Sequence, residues 1–179
     1  VNDSRYPAAW VLFVTCLSPN VERLTATLYD VGEAVARSYD SPLVKPDNVH
    51  VRFEMRDGYS GVSALGADLV FLDPPFFPKA DHDWRGLHRT CSALDEASVP
   101  FVAWYPVYWP TKAKSFVART SRWDWELRWA PFGKKPSQNL KGCGLAVSSR
   151  LAPLLHSAHS ELEIIADRLK AEIHLRSPG

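Results

Sequence analysis

Asp73, Pro74, Pro75, Phe76 and Phe77 are consecutive, and they follow a short apolar run, Val70-Phe71-Leu72. Such a run suits a buried parallel strand. Proline lacks the N–H that a sheet ladder needs, so Pro74 and Pro75 place Asp73 at the strand's carboxyl end. Open α/β sheets bind their ligands in the crevice at that end. A carboxylate, a rigid turn and two aromatic rings therefore leave the strand together. Asp30 and Asp57 take the same kind of position at the ends of two earlier apolar stretches, with Gly58 next to Asp57. Three carboxylates at successive strand ends suit a nucleoside: one accepts from ribose hydroxyls, another from an adenine amino group. Taken singly, each aspartate is simply a cap or turn residue.

The elements that position these groups follow from the pattern of the chain. Residues 2–17, entered through Tyr6-Pro7, read as a buried helix, with a strand as the competing assignment. Residues 24–30 and 50–55 read as strands, 31–39 as a helix and 40–48 as a loop with two prolines. Residues 61–66 form a short link to the strand before Asp73. Residues 81–97 are a helix with Trp84, Leu87, Cys91 and Leu94 on one stripe. Residues 99–107 repeat the earlier design, an apolar strand ending in aromatics and proline. Residues 111–120 read as a helix. Trp123, Trp125 and Leu127 alternate with charge and predict an amphipathic strand. Residues 132–141 are a polar basic loop, and 142–148 the last strand. Residues 149–175 read as one long helix, breakable near Pro153, with Leu154, Leu155, Leu162, Ile165 and Leu169 inward. The alternation predicts an α/β fold with a mostly parallel sheet and helices on both faces.

At 179 residues the chain is long enough for a single domain with its own core. Its formal net charge is +1, so it is no global polycation. Charge is nonetheless segregated. Residues 108–141 hold eight Lys or Arg and two acidic residues, a local net of +6, which leaves −5 elsewhere. Lys112, Lys114, Arg119, Arg122, Lys134, Lys135 and Lys141 mark one face for phosphates. Cys16, Cys91 and Cys143 are widely spaced, with no paired motif for a metal, which implies reduced thiols and a cytoplasmic setting. The longest apolar run, 8–16, is too short to span a bilayer, so no membrane partner is expected.

Asp-Pro-Pro-aromatic after an apolar strand resembles the catalytic motif of the amino-methyltransferases, which methylate exocyclic amines of nucleic-acid bases. From Tyr6 to about Leu155 the chain resembles the RlmJ-type family of large-subunit ribosomal RNA adenine-N6 methyltransferases. The resemblance rests on Tyr6-Pro7, 24–27 (LTAT), Asp57-Gly58-Tyr59, Asp73-Pro74-Pro75-Phe76, Trp104-Tyr105-Pro106-Val107 and the GCGL start of the strand at 142. The Trp-Tyr-Pro is the most discriminating piece.

The resemblance implies a Rossmann-like fold, S-adenosylmethionine as cofactor and ribosomal RNA as partner. Asp73, Pro74, Pro75 and Phe76 would be catalytic. The Asp73 carboxylate and the Pro74 carbonyl would accept from the two amino hydrogens of adenine while Phe76 stacks on the base. Asp30, Asp57, Gly58 and Asp73 would hold the cofactor. Phe77, Trp104, Tyr105, Lys112, Lys134, Lys135 and Lys141 would hold the RNA. The chain departs from the family in three places. No glycine-rich loop precedes Tyr6, so the first, central strand is expected to be missing. Leu28 stands at the family's acidic position, with Asp30 on the same side of the strand as substitute. Phe76 replaces the usual tyrosine. Gly142-Cys143-Gly144 as a permuted cofactor loop is disfavoured, because these glycines precede an apolar strand instead of following one. A non-catalytic RNA- or ribosome-binding protein and a DNA adenine methyltransferase are the competing readings.

Overall fold

The computed structural model describes residues 15–32, 47–61, 66–74, 76, 81–107, 123–129 and 141–176. The expected helix at 111–120, most of the expected helices at 2–17 and 31–39, most of the expected loop at 132–141, and Pro75, Phe77, Lys112, Lys134 and Lys135 lie outside these residues. The chain divides into two compact units, Val1–Ser63 and Ala64–Gly179.

The first unit holds two parallel strands, β1 (Leu24–Asp30) and β2 (Val49–Met55), paired from Leu24↔Val49 to Asp30↔Met55. The start of the pair is fixed by Asn48. Its side-chain amide donates to the carbonyls of Ser18 and Val21, both at 2.8 Å, and its own carbonyl accepts from Leu24 N–H at 2.9 Å. A one-turn helix, α1 (Gly58–Gly61), follows β2. Parallel strands are ordinarily buried on both faces. β1 is only half-buried, and among the described residues it pairs with β2 alone.

The second unit contains five strands and three helices among its described residues. The strands are β3 (Val70–Leu72), β4 (Phe101–Pro106), β5 (Trp123–Arg128), β6 (Gly142–Val147) and β7 (Glu172–Arg176), in spatial order β3-β4-β6-β5-β7. The helices are α2 (Asp81–Glu96), α3 (Ala152–Ser157) and α4 (His159–Leu169). β3 and β4 are parallel; the other three pairings are antiparallel. The fold is therefore mixed α/β, and the sheet of this unit is mixed where a mostly parallel one was expected.

Side chains alternate across the strands, so the sheet has two distinct faces. Trp125, Leu127 and Val147 join Leu155 of α3 and Ala166 of α4 in one apolar cluster, with Leu145, Ile173 and Leu175 packed against it. On the other face, Phe101, Ala103 and Tyr105 are fully buried, as are Leu87 and Cys91 of α2, with Leu94 next to them on the helix. The stripe expected on that helix is thus realised at 87, 91 and 94.

The long helix expected over 149–175 is corrected to two short helices and a strand. α4 stops at Lys170, whose φ of 51° is left-handed. Ala171 N–H then donates to Ala166 O at 2.8 Å and Lys170 N–H to Asp167 O at 3.1 Å, the paired bonds of a Schellman end. β7 starts two residues later. Leu155 and Leu162 are inward as expected, but Leu154, Ile165 and Leu169 are exposed.

Candidate functional site

β3 ends at Leu72 because Asp73-Pro74-Pro75 cannot extend the ladder beside β4. Leu72 pairs with Ala103, so Asp73 emerges at the carboxyl end of a parallel pair, level with Trp104. Asp73 is exposed, yet desolvation by the atoms around it raises its carboxyl above the ordinary aspartate value. Pro74 is half-buried.

Phe76 turns inward. It keeps 3% of its surface, and its φ is 43°. Its ring lies 4.9 Å from that of Trp84 on α2 and 5.9 Å from that of Trp104 on β4. Trp84 in turn lies 6.1 Å from Tyr105. Phe76, expected to stack on a base, is packed against both neighbouring indoles.

Tyr105 is also fully buried, where a substrate-facing residue was expected. Its hydroxyl reaches two strands away, across β6, to Asp124 and Glu126 of β5. It donates to Asp124 Oδ2, and Glu126 Oε1 lies 3.1 Å from the same hydroxyl. Arg128 Nε and Nη2 donate to Glu126 Oε2 at 2.7 and 2.5 Å. Arg176 of β7 reaches the same oxygen at 2.8 Å and Asp124 Oδ2 at 3.6 Å. Two fully buried carboxylates thus face two guanidiniums and one phenol. Asp124 Oδ1 has no hydrogen-bond partner among the described residues. Burial raises Asp124 to about 6 against the pull of Tyr105 and Arg176. Burial, with the neighbouring carboxylates, raises Tyr105 well above the ordinary phenol value and keeps it a donor.

The alternation of β5 was correctly read, but its charged side was expected in solvent and lies inside. Gly142 and Gly144 are buried residues of β6, which removes them as a cofactor loop. A Cβ on Gly142 would stand 2.1 Å from the Leu127 carbonyl, and one on Gly144 2.1 Å from Tyr105 Cζ. Burial pushes the Cys143 thiol up, despite a hydrogen bond with Trp104. Lys141 is half-buried, with its backbone bridging Val107 and Trp129.

In the first unit, Asp30 and Asp57 stand at the carboxyl ends of β1 and β2. Asp30 Oδ1 accepts from Gly32 N–H at 2.7 Å, and Asp57 Oδ1 from Tyr59 N–H at 3.0 Å. Each carboxylate is thus oriented by its own turn. Gly58 lies against Tyr29, over whose ring Arg56 stacks at 4.6 Å. The carboxylates Asp30 and Asp57 belong to one compact unit and Asp73, Phe76, Trp104 and Tyr105 to the other.

Sequence reasoning placed Trp84 in a core stripe and missed its part in the Phe76 cluster. It also missed Asp124, Glu126 and Arg176. The signal for the two carboxylates was the charge inside an otherwise aromatic strand; Arg176 had none.

Among the described residues no group of His, Cys, Asp and Glu is arranged to hold a metal ion, and no helix is long and apolar enough to cross a membrane. No family model matches the chain, and no curated protein matches it. The chain is similar in fold to the crystal structure of protein LPL1258 from Legionella pneumophila str. Philadelphia 1, of the DUF519 family model, with a TM-score of 0.68 and 18% identity over 86% of this chain. The chain spans 60% of the length of that protein's chain. At this identity the likeness shows the fold alone.

Proposed function

We propose that this chain carries the acceptor site of an S-adenosylmethionine-dependent methyltransferase acting on the N6 amine of an adenine in large-subunit ribosomal RNA. The observation that carries this reading is the exposed Asp73 carboxylate at the carboxyl end of the β3–β4 parallel pair, followed by a rigid proline and an aromatic cluster.

An adenine N6 is a weak nucleophile because its lone pair is delocalised into the ring. Asp73 accepts from one amino hydrogen and the Pro74 carbonyl from the other, which draws the nitrogen towards a tetrahedral form. Positioning of this kind supplies most of the rate. The methyl donor is S-adenosylmethionine, whose sulfonium makes the methyl group electrophilic. Within the first unit, Asp30 and Asp57 each use Oδ1 in their own turn, which fixes the direction of the carboxylate as a ribose-binding group requires. Gly58 puts no side chain beside them.

Two parallel pairs, β1 with β2 and β3 with β4, each within its own unit, support an α/β relative of the doubly wound kind. β6, antiparallel between β4 and β5, departs from the all-parallel order.

The basic stretch 108–141 supports RNA as the polymer. Both acidic residues within it, Asp124 and Glu126, are sequestered inside the sheet. The non-catalytic reading draws on one observation, the closed Phe76. The full-length gene product, labelled S-adenosylmethionine and protein-free ribosomal RNA test the proposal: N6-methyladenosine in the digested RNA supports it. RNA binding without methylation favours the non-catalytic reading, and methylation of DNA alone the third.

A further inference from the structure

Phe76 adopts a backbone conformation that residues with a Cβ rarely take, with φ at 43°. Such strain persists only where the surroundings impose it, and it gathers at clamps and switches. Here the bend places a phenyl ring against Trp84, with planes at 56°, and against Trp104, with planes at 61°. Neither indole is itself fully buried. Both keep surface next to a ring that keeps almost none. Three residues before that ring stands the exposed Asp73.

We infer that Phe76 is a resident plug, and that Trp84 and Trp104 are the stacking slot it fills. The slot takes a planar heterocycle bearing an exocyclic amine, which enters by displacing the phenyl ring and presents its amine to Asp73. One aromatic ring is exchanged for another, so the tilted and edge-on ring contacts given up are replaced by those of the incoming ring, while departure of Phe76 relaxes its backbone. The closed state is therefore only modestly favoured, and a ligand specific for the open state shifts the balance. The inference rests on the reading of Asp73 as the amine acceptor. It adds the residues that stack on the base and the one that guards them.

The sign of a single effect separates this device from direct stacking by Phe76. Adenosine is titrated into the full-length protein by calorimetry, for the wild type, Phe76→Gly and Phe76→Leu. Glycine removes the ring and the strain together; leucine keeps apolar volume if the glycine variant folds poorly. A plug predicts that Phe76→Gly binds adenosine at least tenfold more tightly, and Phe76→Leu more tightly by a smaller factor. Adding Trp84→Leu or Trp104→Leu to either should abolish the gain. Weaker or unchanged binding in both Phe76 variants overturns the inference. Purine riboside, which lacks the exocyclic amine, isolates the role of Asp73. If it gains as much as adenosine, the slot stands and the amine contact to Asp73 falls. If adenosine alone gains, both stand.

Discussion

The ring of Tyr105 lies directly over Gly144. A Cβ built on that glycine would fall 2.1 Å from Tyr105 Cζ and 2.4 Å from the hydroxyl oxygen. The two residues are register partners on β4 and β6, and Glu126 is the partner of Gly144 on the other side. Absence of a side chain at 144 is what lets a phenol on β4 reach carboxylates on β5.

Gly144→Ala should therefore destabilise the protein by about 3 kcal/mol, the upper end of overpacking costs. The tyrosine ring is enclosed and has nowhere to move. Tyr105→Ala in the same chain should make the two losses less than additive, because the clash disappears with the ring. Urea denaturation of both single variants and the double variant measures this. Full additivity would show that room for the tyrosine is not what the glycine serves.

Asp124 gives stability a pH dependence of a particular sign. Its carboxyl is raised from 3.8 to about 6 in the folded protein. Between these values the folded state keeps a proton that the unfolded chain has released. The contribution of this group to stability is thus highest at low pH, falls as pH rises from about 4 to about 6, and stays low above that. Asp124→Asn cannot titrate. The stability of the wild type relative to this variant should drop by roughly 3 kcal/mol between pH 4 and pH 7, at about 1.4 kcal/mol per unit. Thermal melts of the pair across that range read the difference directly.

Arg176 neutralises both buried carboxylates from the edge strand β7. Its replacement by Met leaves Asp124 only the longer-range pull of Arg128, whose direct partner is Glu126. Breaking such a pair costs about 3 kcal/mol. The effect should be felt first in β7, so hydrogen exchange of 172–176 should accelerate more than that of β4. Uniform acceleration across the sheet would contradict this.

Lys134, Lys135 and Lys141 are expected to face phosphates. Replacing all three by Ala should weaken ribosomal RNA binding and flatten its salt dependence, by about 0.7–0.9 of a log–log unit for each phosphate no longer neutralised. An unchanged slope would place the RNA elsewhere.

Much of this was legible in the sequence. Proline after a short apolar run marks a strand end by the chemistry of one missing N–H, and Asp73 sits there. The stripe of α2 was readable from its helical spacing. The inward charges of β5 were not, because their partners, Tyr105 and Arg176, lie on strands distant in the chain. β7 was hidden for a related reason. Lys170 ends α4 in a left-handed turn usually taken by glycine or asparagine, so no stop signal preceded the strand. Phe76 was expected to stack on a base; its positive φ sets it against Trp84, a residue whose spacing spoke only of helix packing.

The central claim is that Asp73 holds the reacting amine. Its most direct test is methyl transfer to protein-free ribosomal RNA by the full-length protein carrying Asp73→Ala, with RNA affinity measured alongside. On the proposed function the carboxylate would act on the nitrogen and not on the phosphates, so its removal should fall on the chemical step. N6-methyladenosine should disappear while RNA affinity stays within about twofold, a difference below about 0.5 kcal/mol. Methylation retained by Asp73→Ala at the wild-type rate would contradict that role for the carboxylate.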